Sequence, residues 1–257
     1  MPDPIIRMQD VWFSFNGQPV LQQVNLRVPR GDFLVVIGPN GGGKTTLLKL
    51  MLGLLDPTRG TVAIFGESPN RVSQRIGYVP QNVHINRDFP VSVLDVVLMG
   101  RLKSGRGWSR HTRQDRAAAG QALERMRMWE CRDRRIGELS GGQLQRVFIA
   151  RALVSGPEVL LLDEAMASID AQGRGEFYDM LKELNRTVTI VAASHDMMIL
   201  SSQVKSVACV NRALYHHDSG EITREMLDEA YHCPVDLVAH GIPHRVLALH
   251  ADKKEDE

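Results

Sequence analysis

Cysteine is scarce: Cys131, Cys209 and Cys233 are the only three in 257 residues, far apart, odd in number and without a CxxC pair. That argues against a disulfide framework and fits thiols kept reduced inside a cell. An excess of one charge is missing too. With 31 Lys and Arg against 30 Asp and Glu the formal charge is +1, so no global field draws the chain to nucleic acid or to an anionic membrane, and any such contact must be local. Long apolar runs are also lacking. The longest, around "VLLL" and "TIVAA", fall far short of the roughly 20 residues that span a bilayer. The start "MPDPIIRMQDVW" has no basic segment leading into an apolar one, so a chain that neither crosses a membrane nor is exported is expected. No internal repeat occurs, and the charged tail "ADKKEDE" is expected to be disordered.

What is present is enough apolar material, 43% of the residues, for one ample core with a smaller inserted lobe. From residue 5 to about 80, short apolar runs such as "VWFSF", "VNLRV", "FLVVIG" and "TVAIFG" alternate with turn residues and read as strands, interrupted by the helical "TTLLKLMLGLL". From about 82 to 155 the spacing turns helical: "VSVLDVVLMGRL" after Pro90, "RQDRAAAGQALERMRMW", and "GGQLQRVFIARALVS" behind a serine placed to cap it. From 157 to about 210, "PEVLLLDE" and "TVTIVAASH" read as buried parallel strands around the helix "AQGRGEFYDMLKELNR". The predicted fold is α/β, a parallel core with an antiparallel β subdomain (1–81 and 156–215), an inserted helical subdomain (82–155) and a histidine-containing extension (216–257).

"GPNGGGKTT", residues 38–46, packs four glycines between a strand and a helix. Gly38, Gly43, Lys44 and Thr45 match GxxxxGK[ST], the phosphate-binding loop. Here backbone N–H groups can point inward at phosphate oxygens, the positive end of the following helix adds to the attraction, Lys44 reaches the β and γ phosphates and Thr45 offers its hydroxyl to Mg²⁺. Pro39, Asn40, Gly41, Gly42 and Thr46 complete the loop, and the ligand class is a nucleoside triphosphate. "VLLLDE", 159–164, is an apolar strand ending in two carboxylates. Ligands gather at the C-terminal edge of such sheets, so Asp163 is placed to hold Mg²⁺ and Glu164 to take a proton from the attacking water.

A third motif, "LSGGQ" at Leu139–Gln143, precedes a helix and lies ahead of Asp163. Together the three motifs make the chain resemble the ATP-binding-cassette (ABC) ATPases, over about residues 5–210, with the P-loop NTPase fold and its RecA-like parallel sheet. Ser140, Gly141 and Gly142 at a helix N-terminus form an anion site in their own right, although the first loop already serves the nucleotide. The resemblance implies the reason: two cassettes pair head to tail, each signature, Gln143 included, closing on the γ-phosphate held by the other, so a homodimer with two composite sites is expected. It further implies that Phe15 in "FSFNGQPVL" stacks on adenine, Gln81 in "GYVPQN" senses Mg²⁺ and the attacking water, His195 in "AASHD" contacts the γ-phosphate and Asp170 in "ASID" communicates across the dimer. Where the family usually has Pro-Thr after the glutamate, this chain has Ala165-Met166; neither usual residue performs chemistry, and an active ATPase is still expected.

A single cassette without a membrane span resembles the detached ATPase of a bacterial importer. The resemblance implies docking on two separate permease subunits at the cytoplasmic face of the inner membrane, an indirect link to a substrate-binding protein, and no nucleic acid partner. Val91, Val93, Val97 and Leu98 could line the groove for the permease or form the lobe's own core. The basic run Arg101, Lys103, Arg106, Arg110, Arg113 and Arg116 reads as a solvated face or one turned to headgroups. "DFPVSVLDVVLMGR" and "DRRIGELSGGQLQRVFIARAL" most resemble the zinc and manganese importer branch. Iron-chelate and cobalamin importers, exporters and soluble cassette ATPases are the alternatives. Six of nine histidines follow residue 215 (His216, His217, His232, His240, His244, His250), with Cys233 beside His232; such a set could bind zinc, although its spacing fits no standard site.

Overall fold

The computed structural model describes residues 3–81, 90–102, 111–165, 169, 171–194 and 204–217. Among these, nine strands run β1 (Ile6–Phe15), β2 (Gln18–Val28), β3 (Phe33–Ile37), β4 (Arg59–Ile64), β5 (Ile76–Val79), β6 (Val159–Asp163), β7 (Thr189–Ser194), β8 (Ser206–Asn211) and β9 (Ala213–His217). The α-helices are α1 (Lys44–Met51), α2 (Pro69–Val72), α3 (Val93–Leu98), α4 (Arg113–Arg125), α5 (Gly141–Leu153) and α6 (Ala171–Asn185).

Two sheets divide the strands by their sequence pattern. β1 alternates, burying Ile6, Met8, Val11 and Phe13, and pairs antiparallel with β2 and β4 in a sheet of order β2-β1-β4. One face of such a sheet can stay wet, which an alternating strand permits. β3, β6 and β7 are buried at every position, as strands covered on both faces must be. They lie inside a six-stranded sheet of order β5-β6-β7-β3-β8-β9, parallel except for β9. The pleat sends neighbours to opposite sides: Phe33, Val35 and Ile37 join one apolar cluster with the helical lobe and α6, whereas Leu34 and Val36 join another with α1 and the small sheet. At roughly 1.5–3 kcal/mol for each large aliphatic side chain withdrawn from water, these two faces hold the fold together.

Because five strands run parallel, the chain leaves β3, β5, β6 and β7 at one common edge. Residues 38–46, Gln81, Asp163 and Glu164 are thereby delivered to it. At the opposite edge, Arg30 and Arg75 both bond Glu158, at 2.6–2.7 Å, and the Arg75 guanidinium lies 3.5 Å over the Phe65 ring. This ties the turn after β4 to the large sheet. The Arg30 hydrogen bond first, and then Arg75, hold the Glu158 carboxyl below its usual range.

The helical lobe packs α3 against α4 and α5. Ser92 caps α3, its hydroxyl accepting from the Asp95 N–H at 3.1 Å, so the helix starts three residues after Pro90. Val93, Val97 and Leu98 are fully buried in the lobe core and Val91 is half-buried against it. Three of the four candidate groove residues are thus core, and the exposed large apolar side chains at this end are Met99 and Leu102. Thr112 and Asp115 form a capping box for α4. Within the basic run, Arg101 is engaged by Asp115 at 2.8 Å; Arg113 and Arg116 are exposed, and Lys103, Arg106 and Arg110 lie outside the described residues. β9 carries the sheet through His217. His232, Cys233, His240, His244 and His250 lie outside the described residues, among which no group of three or more His, Cys, Asp or Glu is placed to hold a metal.

Candidate nucleotide site

The loop after β3 owes its glycines partly to its neighbours. Gly38 has φ +156° and a Cβ there would run into the carbonyl oxygen of Val210, at the end of β8. At Gly42 a Cβ would stand 2.7 Å from the same oxygen, and the Gly42 carbonyl accepts from the Arg212 N–H at 3.1 Å. The β8–β9 turn therefore presses on the loop from behind. Close backbone approach to a ligand is one reason for glycine here, and close approach of the chain to itself is another. Gly43 forms the N-cap of α1 at φ +106°, so the loop opens directly onto a helix N-terminus.

Lys44 is 5% exposed, and its Nζ donates to the carbonyl oxygens of Gly38 at 2.8 Å and Pro39 at 3.1 Å. It also stands 3.5 Å from Glu164 Oε1, both side chains being buried. Next to it, the Thr45 hydroxyl donates to Asp163 Oδ1 at 3.1 Å and the Tyr78 hydroxyl to Oδ2 at 3.3 Å. Burial raises the Asp163 pKa, against the lowering effect of the two hydroxyls, and the neighbouring Glu164 charge raises it further. The Tyr78 phenol is pushed up to about 12 by burial and then by the Asp163 charge. Glu164 has φ +49°, a conformation that costs a side-chain-bearing residue about 1–3 kcal/mol. Its N–H donates to the Ala193 carbonyl on β7 at 2.9 Å, which helps hold it there. Ala165, in the place of the family's usual proline, is buried in the lobe-side core.

Of the predicted site residues, the structure brings together Gly38, Pro39, Lys44, Thr45, Asp163 and Glu164. Gln81 is exposed just beyond β5 at the same edge. Phe15 is 49% exposed at the end of β1, edge-on to the buried Phe13 with centroids 4.7 Å apart, so it is not a core phenylalanine. Ser140, Gly141, Gly142, Gln143, Arg146, Ile169 and Gly173 line a cavity of about 280 Å³ to which no residue of 38–46 contributes. Ser140 caps α5, and its hydroxyl and the Gln143 side chain satisfy each other's backbone N–H in a capping box, at 3.3 and 3.1 Å. In this arrangement those two side chains build the helix end, and Gly141, Gly142 and Arg146 share the cavity lining with them. Asp170 and His195 lie outside the described residues. Sequence reasoning missed Tyr78; it stands three residues before Gln81, but only the β5–β6 register shows that it faces Asp163.

A phosphate loop opening a helix, two carboxylates at the end of a buried strand two places along the sheet, and a hydroxyl between them define a P-loop nucleotide-binding ATPase. Residues 21–167, more than half of the chain, match the sequence family described as ABC transporter. The chain belongs to that family, as its ATP-binding, ATP-hydrolysing component. It is 40% identical over 215 residues to the zinc uptake system ATP-binding protein ZurA of Listeria innocua, covering 82% of this chain and 84% of that one. With the high-affinity zinc uptake system ATP-binding protein ZnuC of Bacillus subtilis it shares 39% over 195 residues, 75% and 84% of the two chains. Among solved structures, a chain of an ABC transporter classed as metal-chelate type, in an inward-facing conformation, superposes with a TM-score of 0.80 at 30% identity over 90% of both chains. cbiO1 of Clostridium perfringens, part of the ABC transporter complex cbiONQ, gives 0.73 at 26% identity over 84% of this chain and 89% of that one.

Proposed function

We propose that this chain powers the uptake of a divalent metal ion, zinc or manganese, by a bacterial importer whose membrane path lies in two separate permease subunits. The observation that carries the cargo is the identity of 36–40% with ATP-binding proteins named for zinc or metal transport, over 75–91% of this chain. No helix among the described residues is long and apolar enough to cross a membrane, which agrees with work at the cytoplasmic face beside the permeases. Two copies would pair so that the signature of each, through Ser140, Gly141, Gly142 and Gln143, completes the nucleotide site of the other. That no residue of 38–46 lines the signature cavity supports that pairing.

The chemistry follows from the side chains in place. An arriving triphosphate offers Lys44 charged oxygens in exchange for the two carbonyls it now contacts, which are neutral and weaker acceptors. The Lys44–Glu164 contact then loosens, and the Glu164 carboxylate can accept a proton from the attacking water. The water oxygen bonds the γ-phosphorus, the bond to the bridging oxygen breaks, and ADP and inorganic phosphate leave. Thr45 Oγ1 and Asp163 Oδ1, hard oxygen donors brought to 3.1 Å, fit Mg²⁺, which when bound would neutralise charge on the phosphates. Stacking of Phe15 on the base, water sensing by Gln81, γ-phosphate contact by His195 and communication between copies by Asp170 are assigned by the family likeness alone. In this scheme Glu164→Gln should bind ATP and hydrolyse it 10²–10⁴-fold more slowly.

The cargo is tested by deleting the gene and measuring cell metal content and growth in chelated medium, with zinc, manganese or iron added back singly. Loss of zinc or manganese, rescued by that metal alone, is the expected result. Unchanged metals, or loss of iron only, would move the chain to an iron-chelate, cobalamin or export system.

A further inference from the structure

The Tyr78 hydroxyl belongs to none of the three sequence motifs, yet it reaches the acidic end of β6. Tyr78 pairs in register with Leu161, and period-two alternation puts Leu161 and Asp163 on the same face of β6. The phenol therefore runs along the strand to Asp163 Oδ2, 3.3 Å away. Asp163 is 1% exposed and accepts from two hydroxyls on different elements, Thr45 at Oδ1 and Tyr78 at Oδ2. A cation ligand of this kind is held in its working rotamer by hydrogen bonds behind it. Thr45 is itself a proposed ligand and cannot serve as that support. Tyr78 lies on β5, outside the phosphate loop, and its strand leads within three residues to Gln81.

We propose that Tyr78 is a positioning residue for the nucleotide-bound cation: its hydroxyl fixes the Asp163 carboxylate so that one oxygen stays turned toward Thr45 and the incoming metal. This rests on the assignment of Asp163 and Thr45 to Mg²⁺ above. It also gives the strand that ends at Gln81 a mechanical link to the cation site, so that movement of the helical lobe on β5 would be felt at Asp163.

The test is Tyr78→Phe in the full chain, which removes one oxygen atom and keeps the ring. Mn²⁺ is titrated into ADP-saturated protein and followed by the loss of the free-ion paramagnetic resonance signal; ATP affinity is measured separately in EDTA. Because the hydrogen bond is long, Mn²⁺ binding is expected to weaken by about tenfold, the low end for a residue supporting a metal ligand, while metal-free ATP affinity stays as it was. In an Asp163→Asn background the same change should add nothing. Unchanged Mn²⁺ affinity overturns the proposal, as does an equal loss of metal-free ATP binding, which would mark Tyr78 as merely structural. If the unaltered chain failed to bind Mn²⁺ with ADP, the cation assignment itself would fall; normal binding by both chains removes only the role of Tyr78.

Discussion

Replacing Lys44 by methionine keeps most of the side-chain stem and removes the ammonium that stands 3.5 Å from Glu164 Oε1, so its cost in the nucleotide-free protein can be worked from the geometry. At 3.5 Å and an effective dielectric of about 20, the attraction is about 5 kcal/mol before desolvation is counted. Removing one partner of a buried pair usually costs about 3–5 kcal/mol, because the other charge stays buried. The separation here is longer than the roughly 2.8 Å of a charge-assisted hydrogen bond, which puts the expected loss near 2–3 kcal/mol. Glu164→Gln is not its mirror image. It leaves Lys44 its carbonyl acceptors at 2.8 and 3.1 Å, and an ammonium satisfied by carbonyls should lose no more than about 1 kcal/mol. Urea unfolding of both variants in EDTA without nucleotide gives the comparison directly. Equal midpoints, or a Lys44→Met protein as stable as the parent, would refute the idea that this lysine compensates the acidic end of β6.

Gly42→Ala would place a methyl group 2.7 Å from the Val210 carbonyl oxygen; a loss of about 1–3 kcal/mol with weaker ATP binding is expected, measured by unfolding and by nucleotide titration. Glu158→Gln should lower stability at pH 7 by less than about 1 kcal/mol, since the pair is partly exposed. Its pKa is depressed in the folded state, so the contribution is present above the ordinary glutamate pKa of about 4.3 and fades as pH falls through the folded value; parent and variant should converge in acid, and a gap that widened there would contradict the assignment. Cys209 is fully buried and its thiol is pushed up to about 12 by burial, so at pH 8 roughly one molecule in ten thousand carries the thiolate that alkylating reagents need. Mass spectrometry after iodoacetamide should find Cys209 unmodified in native protein and modified in urea.

Much of the site was legible because its motifs encode chemistry within a few consecutive residues. Lys44, Thr45, Asp163 and Glu164 could be assigned roles from residue type, spacing and an apolar strand alone, and the structure brings all four together. The serine cap on α5 was legible for the same reason, since a cap acts over three residues. What stayed open was whatever depends on which face of an element meets which neighbour. Val93, Val97 and Leu98 could equally have lined a groove or filled a core, and only the packing of α3 on α4 and α5 decided for the core. Gln143 carries a motif's name but turns its side chain back on Ser140.

By itself, then, the sequence determined the class of ligand, the phosphate loop, the acidic strand and the α/β layering, because each depends on local backbone preference, side-chain chemistry or the period of burial. The tertiary structure alone decided that Tyr78 reaches Asp163, that the Val210 carbonyl forbids a side chain at Gly38 and crowds one at Gly42, and that Lys44 stands against Glu164. Those contacts join residues 85, 172, 168 and 120 positions apart, and register between distant strands is set by the burial of whole faces, a collective outcome that no short stretch of sequence contains.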